Sequence, residues 1–400
     1  MSENTNKIKV VHVLTDTNVG GAGTLLCNTL ACADHGRFEY VVVLPAGSRL
    51  AERMQALPCR VVSVKGGRDR SMDILAIPEY VRLLHREKPD ILHAHSALAA
   101  RIAGRIARVP VCIQTRHCVF PLKPWQTNRA VRFAFRYGTR LLSDRVVAVA
   151  EAARDQLCEM GMRADDVEVI VNGVRPLRSC TLHELDELRA QLGVRPDHFV
   201  IGMSARLESY KGQKTLLRAA AVCLERSSDF RVLLIGDGSR LEDYRTLARE
   251  LGIGDKVIFA GFVEDVAPYY ALMDVGVNAS SGTETSSLAL SEGMSIGVPA
   301  IASRYGGNPQ MVIDGENGLL FDTGDHDELA RAILRLYEDR ELLARLSDGA
   351  RRHYRDRLTA DGMVRHLEGM YLRLISQKSR TRRGRAAKRW EVAAKKRTFL

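Results

Sequence analysis

Short apolar runs alternate with longer amphipathic segments along most of this chain. The first run, residues 8–14 (IKVVHVL), is followed by a glycine-rich loop and by a segment with helical spacing from Thr24. This order predicts a strand, a loop and a helix. Further apolar runs of strand length, all before the turn at 172–173, lie at 40–44, 60–64, 91–94, 111–115, 145–149 and 167–171.

Helical patterns separate these predicted strands, for example at 97–108 and 128–143. Strands that alternate with helices favour a mostly parallel sheet covered by helices on both faces. The same pattern then starts again, with predicted strands at 199–205, 230–235, 257–260, 275–278 and 299–303. The chain is therefore predicted to be an α/β protein with two doubly wound units.

The two units set the expected domain organisation. The turn at 172–173 and the polar segment 178–187 place the joint near residue 175. Because ligands of open parallel sheets bind at the carboxyl ends of the strands, we expect a site in the cleft between the units. The predicted parts are a first domain at 1–175, a second domain at 176–355, a C-terminal helix at 356–376 and a basic tail at 377–400.

Composition narrows the class of protein. The 400 residues are 46% hydrophobic and 27% charged, as in a globular protein, and no apolar run approaches the roughly 18 residues of a membrane span. The first residues, MSENTNKIKV, lack the basic and apolar regions of a signal peptide, so we expect a cytoplasmic protein. The eight cysteines include no CxxC pair, which argues against a disulfide framework and a zinc knuckle.

The formal charge of +11 belongs mainly to the tail. Residues 377–400 hold ten Lys or Arg against the single Glu391, a net charge of +9, which leaves +2 for the other 376 residues. A basic tail is typical of a solvated end, of a contact with anionic membrane or, least favoured here, of nucleic-acid binding. Trp390, with alanines around it, suggests a weakly amphipathic helix, although Arg397 on the same face weakens that interpretation.

Two loops carry candidate ligand groups at corresponding places in the two units. Gly20, Gly21 and Gly23 follow the first strand and permit close approach of the backbone to a ligand, although turn packing explains them equally well. In the second unit, Arg206 and Lys211 lie five residues apart just before a helix. Two cations beside a helix amino end suit a diphosphate.

The stretch GTETSSLALSEG, residues 282–293, follows the strand at 275–278 and opens a helix near Ser286 or Ser287. Its backbone N–H groups are expected to point into the cleft and to suit phosphate or sugar oxygens. These donors belong to Thr285, Ser286, Ser287 and Leu288. Glu284 and Glu292 are separated by about 12 Å at helical rise, comparable to the distance from the sugar to the ribose in a nucleotide diphosphate-sugar. Solvated helix glutamates are the alternative.

At this point the chain resembles the retaining glycosyltransferases of the GT-B fold, family 4. The resemblance covers residues 8 to about 350, and it depends on the order and spacing of several motifs. They are GGAG at 20–23, DxxHxH at 90–95, TxH at 115–117, NGV at 172–174, ARLESYKG at 205–212, GDG at 236–238, the pair Glu284 and Glu292, GVP at 297–299 and GG at 306–307.

The resemblance implies two Rossmann-like domains that face each other across a cleft, and it implies roles for individual residues. Arg206 and Lys211 would bind the donor diphosphate and stabilise it as it leaves, as a metal does in other transferases. Glu292 would hold the ribose hydroxyls, and Glu284 the hydroxyls of the donor sugar. His117 would lie near the reactive face of the sugar. The first domain would close over the phosphates through Gly20 and Gly21, and Gly238 would lie in the loop expected near the base.

The implied reaction is the retaining, metal-independent transfer of a sugar from a nucleotide diphosphate-sugar, most simply a UDP-sugar, to a hydroxyl of a cell-surface or lipid-linked glycan precursor. The leaving phosphate would itself assist deprotonation of the acceptor, so no general base is named and no cofactor is expected. The alternatives are a nucleotide-sugar epimerase or an inverting transferase on the same fold, and a non-enzymatic binding protein for sugar nucleotides or nucleic acids.

Two positions depart from the usual family pattern. Glu284 is followed by Thr285, Ser286 and Ser287, where the family usually has Gly-Phe-Gly, which leaves the identity of the sugar open. Gln310 replaces a frequent Glu after the paired glycines, and we interpret it as a local variation in a loop.

Two weaker patterns suggest metal sites. His93 and His95 share one face of a strand, but no carboxylate or third His of suitable spacing follows, so a structural role is favoured over a metal. Asp325 and Asp327 resemble a metal-binding DxD motif, but they precede the predicted helix 328–337, where a helix cap is the simpler interpretation.

Arginines recur at helical spacing in the first unit. One stripe lies in the segment 128–143, and Arg101, Arg105 and Arg108 make a shorter one. The longer stripe consists of Arg129, Arg132, Arg136 and Arg140, with Trp125, Phe133 and Phe135 nearby. We therefore predict peripheral binding to an anionic membrane at its inner face and a lipid-linked acceptor, with simple solubility as the alternative.

Overall fold

The computed structural model describes residues 7–15, 17, 20–65, 73–120 and 122–397, with side chains up to residue 380. The first sheet has seven parallel strands in the order β3-β2-β1-β4-β5-β6-β7. Its strands are β1 (Ile8–Val13), β2 (Phe38–Pro45), β3 (Arg60–Val64), β4 (Ile91–His95), β5 (Val111–Arg116), β6 (Arg145–Ala148) and β7 (Val167–Val169). Its helices are α1 (Gly21–Cys32), α2 (Leu50–Gln55), α3 (Ile77–Glu87), α4 (Leu98–Ile106), α5 (Arg129–Leu142) and α6 (Glu151–Glu159).

The second sheet has six parallel strands in the order β10-β9-β8-β11-β12-β13. Its strands are β8 (Phe199–Ser204), β9 (Phe230–Ile235), β10 (Val257–Gly261), β11 (Val275–Asn278), β12 (Ala300–Ser303) and β13 (Gly318–Phe321). The remaining helices are α7 (Leu182–Leu192), α8 (Gln213–Arg226), α9 (Leu241–Glu250), α10 (Ala267–Ala271), α11 (Leu288–Ile296), α12 (Asn308–Met311), α13 (His326–Glu338), α14 (Arg340–His353) and α15 (Ala360–Arg397).

The predicted α/β fold with two doubly wound parallel sheets is confirmed. The predicted joint near residue 175 falls between the last strand of the first sheet and the first strand of the second, while the domain limits themselves stay predictions. Two details of the prediction were wrong. Strand β13 was missed, because only four residues pair there, and α1 begins at Gly21 instead of Thr24.

Strand β1 shows how the first sheet is buried on both faces. Val10 and Leu14 pack with α1 and α15 on one face, and Val11 and Val13 pack with α3 and α4 on the other. An apolar residue at every position is what a strand covered by helices on both sides requires. His12 interrupts this pattern and is completely buried on the α15 face.

Helix α15 returns from the second unit to the first sheet. It contributes Met363, Leu367 and Tyr371 to the core of the first sheet, and Glu368 accepts hydrogen bonds from the Tyr40 hydroxyl (2.8 Å) and the Asp34 N–H (2.9 Å). The helix thus completes the first unit.

The helix α15 runs on through most of the predicted basic tail to Arg397. The expected roles of Trp390 and of the basic side chains from residue 381 lie outside the described side chains. Within the described part of the chain, no helix is both long enough and apolar enough to span a bilayer.

Candidate functional site

Lys211 and Glu284 meet at the carboxyl edge of the second sheet. Lys211 lies at the end of the loop after β8, and Glu284 lies in the segment between β11 and α11. The Lys211 ammonium nitrogen is 2.9 Å from Oε2 of Glu284, and the same oxygen accepts hydrogen bonds from Asn278 Nδ2 (3.1 Å) and Ser280 Oγ (2.9 Å). Burial would raise the pKa of Glu284, but the charge of Lys211 and these three donors lower it overall. The site therefore holds an ionised carboxylate at neutral pH.

Arg206 lies in the same loop as Lys211 and keeps its side chain exposed. Its guanidinium donates to the Tyr210 hydroxyl (2.8 Å), and the Lys211 ammonium lies 5.8 Å from the centre of the Tyr210 ring. Gln213 is completely buried and donates a hydrogen bond to the Arg206 carbonyl (2.8 Å). This bond fixes the loop that carries Arg206. Tyr210, which the sequence interpretation missed, thus links the two predicted phosphate-binding cations.

Gly212 connects this loop to α8 and has a positive φ of 86°. A Cβ at this position would lie 2.0 Å from the Ala279 carbonyl oxygen, so the loop after β8 is pressed against the end of β11. Only glycine satisfies both the backbone conformation and the close approach. This contact brings the Arg206 loop next to the Glu284 segment.

The segment 285–288 leads into α11, which begins at Leu288, one or two residues later than predicted. Ser287 caps the helix by accepting from the Leu290 N–H, and Ser286 Oγ accepts from the Asn172 N–H (3.2 Å) in the first unit. The backbone N–H groups of Thr285, Ser286 and Leu288 have no acceptor among the described residues. Free donors at a helix amino end form the kind of site that binds anions.

Gly306 and Gly307 pack directly against the backbone of Glu284 and Thr285. A Cβ on Gly306 would lie 2.1 Å from the Glu284 carbonyl oxygen, and one on Gly307 would lie 1.5 Å from that of Thr285. Gln310 Oε1, in α12, accepts from the Glu151 N–H (2.8 Å) at the start of α6. Gln310 therefore contacts the first unit, and its interpretation as a local loop variation was wrong.

Glu292 lies one turn into α11 and is half-buried. Burial raises the pKa of Glu292 to about 7, although Tyr270 and Arg53 act in the opposite direction. The Tyr270 hydroxyl itself donates to the Ala289 carbonyl (3.0 Å). A carboxyl group that titrates near neutral pH can both accept and donate hydrogen bonds to a ligand hydroxyl.

The predicted glycine positions differ in what surrounds them. A Cβ on Gly23 would lie 2.5 Å from the Leu50 side chain, and one on Gly238 would lie 2.5 Å from the Leu207 carbonyl oxygen, so packing alone requires glycine at both. Gly20 caps α1, and a Cβ on Gly21 would have no atom of the described residues within 4 Å. The space beside Gly21 is open, as a ligand-facing position requires.

Four histidines stack across β1, β4 and β5. His12 Nδ1 is 3.0 Å from His95 Nε2, and His95 Nδ1 is 2.8 Å from His117 Nε2. The His93 ring lies beside both His12 and His95, with ring centres 4.9 Å and 4.8 Å away, but His93 bonds instead to the Tyr371 hydroxyl (2.5 Å) and to Thr115 Oγ1 (2.6 Å). The predicted site residue His117 is thus connected to two residues deeper in the sheet.

Burial keeps these imidazoles neutral. It lowers the pKa of His12 to about 3 and that of His117 to about 4, and it lowers the pKa values of His93 and His95 well below their usual range. The sequence interpretation missed His12, because it lies 81 residues before His93 and reaches it only through the pairing of β1 with β4.

Residues of the two candidate metal patterns make hydrogen bonds within the protein. Nitrogen atoms of His12, His93 and His95 lie within 4.8 Å of one another, but of these residues' nitrogens only His12 Nε2 lacks a hydrogen-bond partner in the described structure. Asp325 caps α13 by accepting from the Glu328 N–H (2.8 Å), as the cap interpretation predicted.

The two arginine stripes of the first unit have different environments. On α4, Arg101 is buried against Gln114 and Ser143, and Arg105 pairs with Asp144, so the predicted basic surface was wrong for these two residues. Arg108, just after α4, is exposed. On α5 the four arginines remain at or near the surface, beside an apolar stripe that the spacing of the arginines did not reveal. The stripe consists of Phe133, Tyr137 and Leu141, whose exposed fractions are 72%, 65% and 61%. Phe135 packs instead against the cluster around β6 and α6.

The predicted site residues form two groups. Lys211, Glu284 and the segment 285–288 are in contact, with Arg206 joined to them through Tyr210. His117 makes its hydrogen bond within the first unit, to His95. The two units contact each other where Asn172 bonds to Ser286 and where Glu151 bonds to Gln310. No local sequence motif predicted these two contacts.

Two family models match consecutive parts of the chain. Glycosyltransferase Family 4 matches residues 19–178, and Glycosyl transferases group 1 matches residues 185–353. The putative glycosyltransferase EpsD of Bacillus subtilis (strain 168) is 31% identical over 276 residues, which are 66% of this chain and 71% of that protein. The UDP-Gal:alpha-D-GlcNAc-diphosphoundecaprenol alpha-1,3-galactosyltransferase of Escherichia coli is 25% identical over 86% of this chain and 91% of its own length.

Solved structures share the fold over nearly the whole chain. The Anabaena protein HepE, crystallised in complex with UDP, is 25% identical, with a TM-score of 0.75 over 91% of this chain and 99% of its own. The sucrose-phosphate synthase of Thermosynechococcus elongatus has the same TM-score at 18% identity.

Proposed function

This chain belongs to the group 1 glycosyl transferases, and from that premise we propose that it transfers a sugar from a UDP-sugar to a hydroxyl of a lipid-linked or cell-surface glycan precursor, with retention of the anomeric configuration and without a metal. The E. coli relative is named for a UDP-galactose donor and a diphosphoundecaprenol acceptor, and HepE for a complex with UDP. Both support the choice of donor, and the first supports the choice of acceptor.

The contact between Lys211 and Glu284 carries the proposal. It fixes a cation beside free backbone N–H groups at the amino end of α11, so that two kinds of anion-binding group converge on one place. Arg206 adds a second cation, whose side chain is exposed and able to reach a ligand. Together they supply the positive charge that a diphosphate leaving group needs, which is why we propose that no metal cofactor is required.

Retention follows if the acceptor hydroxyl attacks the anomeric carbon on the face from which the diphosphate departs. The bond to the acceptor oxygen forms as the bond to the diphosphate oxygen breaks, and the departing oxygen takes the acceptor proton. Arg206 and Lys211 stabilise the charge on the diphosphate during this step. Glu284 and Glu292 hold hydroxyls of the sugar and of the ribose, and so fix the donor at both ends.

The surface of α5 supports an acceptor at a membrane. Phe133 and Tyr137 are stacked with ring centres 6.3 Å apart, beside arginines on the same helix. A helix with an apolar stripe flanked by basic residues suits the interface of an anionic bilayer. We propose that the enzyme binds such a membrane peripherally, through this face, from the cytoplasmic side.

The first test needs no acceptor. Thermal stabilisation would be compared for UDP, GDP, ADP and dTDP at millimolar concentration without metal, since a ligand at 100 times its dissociation constant adds about 2.7 kcal/mol to the folded state. We expect a shift with UDP. A cooperative melt that none of the four nucleotides shifts would contradict the donor site.

Stereochemistry is tested on the product. With the UDP-sugar and an acceptor analogue, proton NMR reads the anomeric configuration of the new linkage from the coupling of its anomeric proton. An inverted product would assign the chain to the alternative mechanism. A changed sugar nucleotide without transfer would assign it to the epimerases.

A further inference from the structure

Three of the stacked histidines form a hydrogen-bonded ladder that leads from the core toward the carboxyl edge of the first sheet. His12 is completely buried on β1, His95 is buried at the end of β4, and His117 is half-buried just after β5. Each neighbouring pair is joined through one nitrogen from each ring, at 3.0 Å and 2.8 Å. Within the described part of the chain, both links join one histidine directly to the next.

A ladder of neutral imidazoles has only two internally consistent arrangements of protons. A neutral imidazole carries one N–H and one bare nitrogen, and each link needs one donor and one acceptor. If His12 donates to His95, then His95 must donate to His117, and the proton of His117 must lie on Nδ1. If the direction is reversed, His117 carries its proton on Nε2 and its Nδ1 is bare.

The buried end of the ladder selects the direction. Nε2 of His12 is buried and has no hydrogen-bond partner among the described residues. In the reversed arrangement this atom is an N–H donor without an acceptor, whereas in the forward arrangement it is a bare nitrogen. Buried donors without partners are the rarer of the two in folded proteins. The forward arrangement, with His12 as the donor, is therefore the more stable.

We propose that His12 and His95 are positioning residues that hold His117 as the Nδ1–H tautomer, so that His117 presents a hydrogen-bond donor to an oxygen of the transferred sugar. The identity of that oxygen rests on the proposed function. The direction of the ladder is independent of the proposed function. Its chemical consequence is that His117 cannot act as a base while the ladder is intact. Nε2 already accepts from His95, and Nδ1 carries the proton.

The same geometry distinguishes the ladder from a metal site. A metal bound by one nitrogen each of His12, His93 and His95 would have to displace one of the two hydrogen bonds that His93 makes, to Tyr371 or to Thr115, and one of the two that His95 makes within the ladder. The ladder leaves these bonds in place. Added Zn²⁺ therefore serves as a discriminating probe.

The test is the tautomer of His117, read by NMR of the full chain labelled with ¹⁵N at histidine, in which protonated and bare ring nitrogens have well-separated shifts. His12→Leu removes the first donor of the ladder. His12→Asn places an amide N–H close to the position of Nδ1 and keeps it. His93→Leu is the matched control, because His93 is buried in the same stack but lies outside the ladder.

We expect the Nδ1–H tautomer at His117 in the parent, in His12→Asn and in His93→Leu, and also in His12→Leu, where the bare nitrogen at the buried end is Nε2 of His95. With a UDP-sugar and acceptor, kcat of His12→Leu should fall about 3- to 10-fold, the value of one hydrogen bond, while KM for the donor changes less than about twofold. His12→Asn should restore kcat.

Three results would overturn the inference. They are an Nε2–H tautomer at His117 in the parent, a switch of His117 to the Nε2–H tautomer in His12→Leu, and stoichiometric Zn²⁺ binding that raises the melting temperature of the parent but not of His12→Leu. Because the tautomer is read without substrate, an Nδ1–H His117 in a chain that transfers no sugar would uphold the ladder and refute the proposed function.

Discussion

The ammonium of Lys211 lies 2.9 Å from the carboxylate of Glu284, although the two residues are 73 positions apart and follow different strands. Each residue depends on the other. Lys211 keeps a buried carboxylate ionised, and Glu284 holds the lysine in the place where a diphosphate would meet it. A preorganised cation of this kind costs little rearrangement when charge develops on a leaving group.

The first prediction separates the structural from the functional part of this pair. Lys211→Met leaves the buried charge of Glu284 without its counter-charge, so the free energy of unfolding should fall by about 3 kcal/mol. The double variant Lys211→Met with Glu284→Gln should regain most of that stability, because no buried charge remains. It should not regain UDP affinity. Calorimetric melting and titration with UDP measure the two effects.

Arg206→Met is the matched control for that series. The Arg206 side chain is exposed, so its removal should change stability by no more than about 0.5 kcal/mol while weakening UDP binding. If the double variant bound UDP as tightly as the parent, the role of Lys211 in diphosphate binding would be wrong.

A second prediction uses two glycines of the first loop. Gly23→Ala places a methyl group 2.5 Å from the Leu50 side chain, and overpacking of this kind should cost about 1–3 kcal/mol. Gly21→Ala meets no atom of the part of the chain that the structure describes within 4 Å, so the melting temperature should not fall. Turnover should nevertheless drop at least about tenfold if the first unit closes over the phosphates at this point. Full activity of Gly21→Ala would remove Gly21 from the site.

The sequence predicted the fold well because the strands of a doubly wound sheet are recognisable from the local pattern of apolar residues. Each is a short apolar run bounded by polar loops, and twelve of the thirteen strands of the two sheets were found in this way. Strand β13 was missed because the four residues Gly318–Phe321 are too few to show an alternation of apolar and polar positions. They form a strand because they pair with β12.

The donor site was predictable to the extent that its motifs are local. Arg206, Lys211 and Glu284 each follow a strand, and parallel strands end at one edge of a sheet. Other features depend on contacts that no spacing encodes. His12 joins the histidine stack through the register of β1 and β4, and Tyr371 reaches His93 from 278 residues away on α15.

A third prediction concerns stability in acid. The folded pKa values of the four stacked histidines lie below the ordinary value of 6.5, so their contribution to stability is complete above pH 6.5 and is lost as the pH falls toward the folded values of about 4 for His117 and about 3 for His12. Each histidine should lower the free energy of unfolding by about 1.4 kcal/mol per pH unit in that window. Glu292, whose pKa is raised, stabilises the fold more as the pH falls, but it is one group against four histidines.

The measurement is the fall in melting temperature between pH 7 and pH 5. His12→Gln should reduce this fall relative to the parent, because one buried titrating group is removed. His183→Gln, at an exposed histidine of α7, should leave it unchanged. Equal falls in the parent and in His12→Gln would show that His12 titrates normally in the folded chain.

The fourth prediction concerns the membrane surface of α5. Replacing Arg136 and Arg140 by Gln should weaken sedimentation with vesicles that contain phosphatidylglycerol by about fivefold per arginine, since each basic residue near an anionic bilayer contributes about 1 kcal/mol. Phe133→Ser with Tyr137→Ser should weaken it further. Leu182→Ser on α7, which is 78% exposed and lies in the other unit, is the control. Binding that is indifferent to lipid charge would contradict the proposal.

The last prediction follows from the pKa of Glu292, which burial raises to about 7. In the protein without ligand, the neutral carboxyl of Glu292 stabilises the fold fully below the ordinary glutamate pKa of 4.5. This stabilisation is lost as the pH rises through 7. Ribose hydroxyls that donate to Glu292 would favour the ionised form, so UDP binding should lower the pKa of Glu292 and release a proton.

The release should amount to about half a proton per UDP at pH 7, where the free carboxyl is half ionised, and should approach one proton near pH 6. UDP affinity should correspondingly rise about tenfold from pH 6 to pH 8. Titration calorimetry in two buffers with different enthalpies of ionisation counts the protons directly. Glu292→Gln keeps the shape of the side chain, and it should bind UDP more weakly and without this release. A parent that releases no proton, or that takes one up, would show that the ribose does not bind to the carboxylate of Glu292.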